Sequence, residues 1–431
     1  MSEVYGELIV PIVSDGPAIA NHFNLELGGR YSDWSMENMP TLETYKALID
    51  WGIGNEGRYR MRGGFNRAFR APNLGELYIA RTQIFGGIGT RDHCSQNLQA
   101  DLGYGASSSN PAQRQHAYNI CRQLMGTTGA YEYYDNRPLS SQPTVGNTGV
   151  SNSFGNPNLR EEQADTFTLG MVMDFHDNFT LTVDWYEIEI EDMIALENAD
   201  AIYQRCLDLS FNPAGDPNIE PCVLVNRDPA NGAPANVDRT FTNQGRAKMS
   251  GVDLQLDWRR DLWGGQFGMN TVANWGLESI TQERPDLAPI ENAGYNSCSL
   301  QIQCQRYEYR LFTTFSYFKG SWNASLRHQY WPELEDASCR INPRADACLY
   351  STYPDQQLLS ATFGYTFNEK YRLIVGIENL LDQDPPCVGA EPNRANYAYT
   401  CEHASQTPGD LYNATFDQLG RRYFLSMTMD F

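Results

Sequence analysis

Residues 421–431 read RRYFLSMTMDF, and their alternation carries most of the information about the fold. Apolar side chains occupy every second position: Tyr423, Leu425, Met427, Met429 and Phe431. A period of two places these residues on one face of a β-strand and the mostly polar or small residues on the other. A half-buried strand of a soluble sandwich would show the same pattern. A strand that ends the chain on an aromatic residue also fits the closing, lipid-facing strand of a transmembrane barrel.

The composition of the 431 residues favours strands over helices. Aromatic residues make up 12% of the chain, with 25 Tyr, and amphipathic helical patterns are scarce. No run of about 18 apolar residues occurs, which argues against a helical membrane span. The mean hydropathy of −0.51 is compatible with a membrane barrel, because only alternate residues of its strands are apolar. The net charge of −21 argues against nucleic acid as a partner.

About thirteen strands can be predicted from alternation and turn residues. Each is roughly 10–14 residues long, the length that a tilted strand needs to cross a bilayer. One example is residues 44–53, followed by the glycine-bounded turn GNEG at 54–57 and a second alternating stretch at 58–70. The alternating stretches that mark these strands lie at about 3–13, 19–33, 44–53, 58–70, 167–175, 179–185, 252–258, 266–277, 307–318, 322–330, 357–367, 371–380 and 421–431.

The connections between these strands are sorted by length. Short turns alternate with long segments at about 71–161, 195–245, 279–306, 331–356 and 381–416. Short turns at one rim and long loops at the other are typical of an outer-membrane barrel, with periplasmic turns and extracellular loops. The sequence therefore predicts an all-β, antiparallel transmembrane β-barrel fold.

All ten cysteines fall in the long connections, and each connection holds one pair. The pairs are Cys94 and Cys121, Cys206 and Cys222, Cys298 and Cys304, Cys339 and Cys348, and Cys387 and Cys401. We expect five disulfides local to their loops, which requires an oxidising compartment. Metal ligation is the alternative, but no CxxC motif occurs and the spacings match no zinc pattern.

Five segments together resemble the barrel region of TonB-dependent outer-membrane receptors. FNRAFRAPNLGELY at 65–78 and GNPNLREEQADTFTLG at 155–170 are similar to two of the family's strand-to-loop segments. SGVDLQLDW at 250–258 resembles its "GvE" strand start, with Asp253 where the family usually has Glu. VGIENLLDQ at 375–383 and the terminal strand complete the series, which runs in the family's order.

The resemblance implies a 22-stranded barrel in the outer membrane of a Gram-negative bacterium, plugged by an N-terminal domain. We therefore expect residues 1–431 to be the C-terminal part of such a barrel, without the plug and the first strands. No signal peptide pattern opens the chain, and an odd strand number cannot close a bacterial barrel in the usual way. We expect the chain alone not to be a functional transporter.

The resemblance also implies a function and its partners. These are energy-coupled uptake of a scarce solute (an iron chelate, glycan, cobalamin or peptide), with neither cofactor nor catalysis. The expected partners are outer-membrane lipid, the nutrient ligand, and an inner-membrane energy-coupling protein that touches the plug. In the family, a terminal alternation like that of Tyr423 to Phe431 resembles the signal read by the barrel-assembly machinery.

Two groups of residues are candidates for contacts inside the receptor. Tyr131, Tyr133 and Tyr134 cluster beside Arg137 in the first long loop, where they could stack on a ligand or pack within the loop. Arg58, Arg60, Arg62 and Arg70 alternate with apolar residues, so we expect them to face the lumen. There they could contact the plug or line a path for an anionic ligand.

Three other classes of protein compete with this interpretation. A smaller complete porin-like channel would share the turns and loops but not the five ordered motifs. An outer-membrane hydrolase would need a nucleophile near a histidine, and His328, which alternation places on the lipid side of a predicted strand, has no nucleophile motif nearby. A secreted adhesive β-protein would not sort its connections by length.

Overall fold

A computed structural model describes most of the chain. The described residues are 1–35, 41–84, 92–97, 103–142, 150–282, 284–296, 305–336, 352–368, 370–383 and 419–429. Cys298, Cys304, Cys339, Cys348, Cys387, Cys401 and Phe431 lie outside these ranges, so the expectations for them stay predictions.

Thirteen long strands form one antiparallel sheet, in agreement with the sequence prediction. They are β1 (Ser2–Val13), β2 (His22–Asp33), β3 (Leu42–Ile53), β4 (Tyr59–Arg70), β5 (Glu162–His176), β6 (Phe179–Leu196), β7 (Pro234–Leu262), β8 (Gly265–Gln282), β9 (Tyr309–Lys319), β10 (Trp322–Trp331), β11 (Gln356–Phe367), β12 (Tyr371–Glu378) and β13 (Arg422–Met429). Each strand pairs with the next one along the chain. Among the described residues no pairing joins β13 to β1.

The register places apolar residues on one face of the sheet, which we call the outward face. On β5 these are Phe167, Leu169, Met171, Met173 and Phe175. Phe167 lies opposite Phe65 of β4, and Leu169 lies opposite Trp185 of β6, so the apolar rows of neighbouring strands coincide. We call the opposite, mostly polar face the lumenal face. The alternation predicted from sequence is therefore present in three dimensions.

Aromatic residues border the outward apolar face at both ends. Near the short turns, the rings of Tyr59 and Phe175 lie 6.2 Å apart and those of Trp258 and Phe267 lie 5.7 Å apart. Towards the long connections, the Phe65 and Phe167 centroids are 4.6 Å apart. Two aromatic belts around an apolar band are characteristic of barrels that cross a membrane, because aromatic rings favour the lipid–water interface.

The turns at one rim are tight. Between β7 and β8, Trp263 and Gly264 both have positive φ, 52° and 73°, as a two-residue type I′ turn requires. The Trp263 carbonyl accepts a hydrogen bond from Lys319 Nζ at 2.8 Å, which ties this turn to the next hairpin. A short 3-10 turn, Asn55–Gly57, joins β3 to β4.

The long connections contain helices that the sequence analysis did not predict. They are α1 (Leu74–Tyr78), α2 (Pro111–Ala130), α3 (Ala199–Leu207) and α4 (Glu220–Val223), with a π-turn at Tyr131–Asp135 and a 3-10 turn at Leu139–Ser141. Short strands accompany them: Thr82–Ile84, Val150–Phe154, Val225–Arg227, Ile290–Glu291, Tyr295–Asn296, Gln305–Arg306, Leu334–Asp336 and Thr352–Tyr353. None of these helices in the described part of the chain combines the length and apolarity that a membrane span requires.

The first two long connections fold together into a unit that we call the loop domain, comprising the described residues of 71–161 and 197–240. Its buried core combines residues of α2, such as Ile120 and Met125, with Ile202 and Leu207 of α3. Two disulfides, Cys94–Cys121 and Cys206–Cys222, lie in this core with their cysteines 0% exposed. Both are among the five pairs expected from sequence.

Candidate functional site

A cavity lies on the lumenal face of β1 to β7. Its volume is about 710 Å³, and its polar lining includes Asp50, Arg60, Arg62, Asp184 and Asp253. Alternation on β3, β4, β6 and β7 brings these side chains to one face, although they lie far apart in sequence. The cavity is therefore a product of strand register and not of a local motif.

Arg60 and Arg62 of β4 lie on the lumenal face, and each is paired with a carboxylate. Arg60 binds Asp50 of β3 through two hydrogen bonds of 2.5 and 2.7 Å. Arg62 binds Asp184 of β6 in the same bidentate way, at 3.0 and 2.8 Å. Bidentate pairs fix the guanidinium planes as well as neutralise their charge.

Arg58 and Arg70, the other two arginines expected to face the lumen, are also paired with carboxylates. Arg58 donates to Asp177 at 3.1 Å. Arg70 donates to Glu162 at 2.5 and 2.8 Å and to Glu76 at 3.1 and 3.2 Å. With four guanidinium groups neutralised by neighbouring carboxylates, the lumenal wall presents an ordered polar surface and not a row of unpaired positive charge.

Gly170 of β5 permits the Arg62–Asp184 pair to cross an intervening strand. A Cβ atom at this position would lie 1.8 Å from Asp184 Oδ1 and 3.4 Å from Arg62 Cγ. The Arg62–Asp184 pair therefore depends on the absence of a side chain at Gly170, because the Asp184 carboxylate occupies the space that a Cβ atom would fill.

We expect Gly170→Ala to displace Asp184 and break its bidentate contact with Arg62. Because the pair is partly exposed, the loss of stability should be about 1 kcal/mol. A structure of the variant, or the coupling energy in a double-mutant cycle between Arg62 and Asp184, measures the effect. Gly6, whose Cβ would meet nothing within 4 Å, supplies the matched control as Gly6→Ala. An unchanged coupling energy in the Gly170→Ala background would contradict this account.

The tyrosine cluster expected in the first long loop is divided between core and surface. Tyr133 is 0% exposed, whereas Tyr131 is 54% exposed. The Tyr134 hydroxyl donates to the Cys94 carbonyl at 2.8 Å, and its ring lies 5.0 Å from that of Tyr133. The Arg137 guanidinium lies 5.2 Å from the Tyr133 ring centroid, in cation–π range. Two of the three tyrosines therefore pack within the loop domain, and their role towards a ligand stays a prediction.

A buried ion pair joins the two connections of the loop domain. Arg227 binds Asp92 at 2.6 and 3.0 Å, and both side chains are 0% exposed. Asp92 also accepts hydrogen bonds from the Tyr133 hydroxyl and from the Cys94 backbone N–H. The Arg227 guanidinium lies 5.2 Å from the Tyr133 ring.

These contacts determine how Asp92 titrates. Burial alone would raise its pKa, but Arg227, the Tyr133 hydroxyl and the Cys94 N–H together hold the pKa below its usual range. Burial also acts on Arg227, yet Asp92 keeps its pKa well above the usual value. The pair therefore stays ionised in the core.

Glu197 connects the loop domain to the next long connection. Its side chain is 3% exposed and accepts from Arg205 at 2.7 Å and from Arg284 at 3.1 Å. Burial raises the pKa of Glu197, and the two arginines oppose that rise. Sequence analysis identified neither Glu197 nor the Asp92–Arg227 pair, because nothing in one sequence marks which charges of a long loop become buried.

The terminal strand β13 carries its predicted apolar row on the outward face. Tyr423, Leu425 and Met427 lie opposite Ile377, Val375 and Leu373 of β12 and are each about 70% exposed. On the lumenal side, the Phe424 ring covers Gly376, where an added Cβ would lie 2.2 Å from the ring. Within the described residues, no group of three or more His, Cys, Asp or Glu side chains could hold a metal ion.

A comparison with known protein families identifies the family to which this architecture belongs. A family model described as TonB dependent receptor-like, beta-barrel matches residues 2–380. The chain belongs to this family of TonB-dependent receptors. The family consists of receptors and transporters, not enzymes, and its barrels lie in the outer membrane of Gram-negative bacteria, where we place this chain.

Solved structures of this family share the fold at low sequence identity. The siderophore receptor PirA of Acinetobacter baumannii is 13% identical with a TM-score of 0.56, covering 100% of this chain and 45% of that chain. The ferric enterobactin receptor PfeA of Pseudomonas aeruginosa is 12% identical with a TM-score of 0.55, covering 100% of this chain and 44% of that chain. This TonB-dependent receptor chain thus spans less than half of either structure. No curated protein matches the sequence.

Proposed function

We propose that this chain forms the wall and the extracellular entrance of a receptor that takes up a scarce solute by energy-coupled transport. The family match over residues 2–380 carries the proposal. Additional strands would complete the barrel beside β1 and β13, and a plug domain would fill its lumen and contact the inner-membrane energy-coupling protein. Among iron chelates, glycans, cobalamin and peptides, iron chelates are the first class to test, because the two similar structures are siderophore receptors.

The lumenal face is better suited to binding a protein than to forming a path for a free anion. Arg58, Arg60, Arg62 and Arg70 are each neutralised by a carboxylate. Their remaining donors, together with Asp253 and Glu26 around the cavity, can bind polar groups of a folded domain. We therefore propose that this wall contacts the plug.

The loop domain would hold the solute before it passes the plug. Tyr131 is the exposed member of the predicted aromatic cluster, and Arg137 lies over the ring of the neighbouring Tyr133. An exposed Tyr and a cation suit an aromatic, anionic chelate. Two disulfides and the buried Asp92–Arg227 pair would keep this surface preorganised, which lowers the entropy lost on binding.

The proposal can be tested by deleting the gene segment that encodes residues 1–431. We expect loss of energy-dependent uptake of one radiolabelled solute from a panel of ferric siderophores, cobalamin, oligosaccharides and peptides, and we expect a protonophore to block the same uptake in the parent cells. Unchanged uptake of every solute in the panel would contradict the proposal. Uptake that depends on the gene but not on the protonophore would favour a porin-like channel.

Two variants test the proposed plug contact and the proposed assembly signal in the same cells. Arg60→Gln with Arg62→Gln should loosen the plug and increase sensitivity to large antibiotics that the outer membrane normally excludes. Removal of Phe431 should reduce the amount of the protein in the outer membrane if the barrel-assembly machinery reads the terminal strand. Antibiotic sensitivity and membrane abundance that match the parent would refute these two assignments.

A further inference from the structure

Two arginines at the end of β9 that joins the long connections carry charges that no carboxylate neutralises. Arg306 ends the third long connection, and Arg310 is the second residue of β9. In the part of the chain that the structure describes, neither forms an ion pair with a carboxylate. Residues 297–304, which lie outside the described ranges, contain no Asp or Glu. The two residues therefore differ from the arginines of β4, which all have carboxylate partners.

The register of the sheet places Arg310 on the lumenal face, beside the cavity. Arg310 lies opposite Asn274 of β8, and Asn274 lies opposite Asp253 of β7. Asp253 and Tyr186 both line the cavity. The Asn274 side chain donates to Asp253 at 2.7 Å and to the Tyr186 hydroxyl at 3.2 Å, so the Asp253 carboxylate already has a partner. Arg310 therefore stands at the edge of the lumenal cavity that lies towards the long connections.

The surroundings of Arg306 are those of a cation without a counterion. Burial lowers the pKa of Arg306, because less water remains to stabilise its charge. The nearby Tyr186 opposes that change, and the positive charge of Arg310 adds to it. Arg227 of the loop domain is buried as well, but Asp92 keeps the pKa of Arg227 well above its usual value. Arg306 thus lies close to Arg310 and to a residue that lines the cavity.

The neighbouring acids do not supply the missing negative charge. Glu308 lies between the two arginines in sequence, but its carboxylate lies beside Gly294, where an added Cβ would be 3.2 Å from Oε1. Asp184, the next acid of the cavity, is bound by Arg62 at 3.0 and 2.8 Å. The whole chain carries a net charge of −21, so two uncompensated cations are a local exception. A cleft with such a local field concentrates ions of the opposite charge.

A third cation continues the series further along the lumenal face. Arg327 of β10 lies opposite Thr314, which follows Arg310 by four residues, or about 13 Å along β9 towards the short turns. The Arg327 guanidinium lies 6.0 Å from the ring centroid of Phe312, in cation–π range. Its side chain is exposed, and no carboxylate of the described residues pairs with it. The three arginines therefore run from the third long connection into the lumen.

We propose that Arg306 and Arg310 bind a solute that carries at least two negative charges on oxygen atoms, and that Arg327 receives the same solute deeper in the lumen. Guanidinium groups bind carboxylate and phosphate oxygens through paired hydrogen bonds. Two adjacent cations favour a ligand with several anionic groups, because such a ligand neutralises both. The inference rests on the proposed transport function, since it assigns the charge of the transported solute. It sets aside neutral oligosaccharides and other uncharged solutes.

The test measures anion binding by isothermal titration calorimetry, with the receptor purified from outer membranes in detergent at low salt. The probes are citrate and tripolyphosphate, which present carboxylate and phosphate oxygens, and the tighter of the two identifies the favoured group. Arg306→Gln/Arg310→Gln should bind that probe roughly tenfold more weakly or less, because a hydrogen bond to a charged group changes affinity by about a factor of ten or more. Arg306→Lys/Arg310→Lys keeps both charges and should bind with an affinity between those of the parent and the Gln variant.

The matched control is Arg372→Gln, which removes a cation from the lumenal face of β12 near the short turns. Arg372 also has no carboxylate partner among the described residues, so the control differs only in position. It should bind both probes like the parent, and circular dichroism should show the same strand content in all variants. The proposal is overturned if neither probe binds the parent, if the Gln double variant binds like the parent, or if the control loses as much affinity.

Uptake measurements separate this proposal from the proposed function. Energy-dependent uptake of an uncharged solute, unchanged in Arg306→Gln/Arg310→Gln, would refute the anion site and leave the transport function standing. If the double variant loses anion binding while cells with the parent receptor take up no solute of the panel, the transport function fails and the anion site stands.

Discussion

Replacement of Asp92 by Asn is expected to destabilise the loop domain by about 3–5 kcal/mol. The substitution leaves Arg227 buried, charged and without its carboxylate, and it weakens the contact with the Tyr133 hydroxyl. Breaking one side of a buried pair is expensive because the remaining charge has no solvent to stabilise it. The barrel strands do not depend on this pair, so the effect should be confined to the loop domain.

Native-state hydrogen exchange of the amides in α2 and α3 measures this loss. The matched control is Asp135→Asn, which removes the partner of Arg122 in an ion pair whose side chains are 37% and 44% exposed. That pair is expected to contribute at most about 1 kcal/mol. Similar exchange rates in the two variants would show that the Asp92–Arg227 pair does not stabilise the domain.

The Asp92–Arg227 pair should also make the stability of the loop domain fall at low pH. The pKa of Asp92 in the folded state lies below its unfolded value, which is about 3.9. Its contribution is therefore complete above the unfolded pKa and is lost as the pH falls through the folded pKa. The Asp92→Asn variant should lack this acid-dependent loss, and hydrogen exchange of α2 at decreasing pH would detect the difference.

Met171→Arg should lower the stability of the membrane-inserted chain by about 2–4 kcal/mol. Met171 lies at the centre of the outward apolar row of β5, two residues from Leu169 and Met173. An arginine there would face hydrocarbon at the middle of the bilayer. Thr168→Arg places the same side chain on the lumenal face of the same strand, beside the polar cavity, and is expected to have little effect.

Urea titration of protein inserted into phosphatidylcholine vesicles measures the free energy of unfolding of the two variants. The contrast between them, and not the absolute value for either one, tests the assignment of faces. If Thr168→Arg were the more damaging substitution, the outward and lumenal faces would be reversed.

The strands were predictable from sequence because a transmembrane barrel imposes a strict rule on each of them. Every second residue must face lipid, so even the isolated segment 421–431 shows a period of two. The order of the strands followed from their short turns, and the family resemblance followed from five motifs. The position of Arg60 and Arg62 on the mostly polar face of β4 followed from the same alternation, and their contact with a plug or ligand stays a prediction.

The pairing of Arg62 with Asp184 was not predictable, because it depends on the register of β4, β5 and β6 and on the space above Gly170. The loop domain was missed for a different reason. In α2, Gln113, Ala117, Ile120 and Cys121 are spaced as one buried helical face, and Asn110 and Pro111 provide a helix start. This local signal was available. Its packing against α3 was not, because the two helices are separated by the whole β5–β6 hairpin.

The most direct test of the central claim, that the outward face of this sheet contacts membrane lipid, is a nitroxide scan along β5. A spin label is placed at each position from 167 to 173 in protein inserted into vesicles, and its accessibility to oxygen and to a water-soluble nickel complex is measured. We predict that accessibility to oxygen peaks at 167, 169, 171 and 173, and that accessibility to the nickel complex peaks at 168, 170 and 172. Equal accessibility at all positions, or the opposite phase, would contradict the claim that these strands cross the outer membrane with their apolar face in lipid.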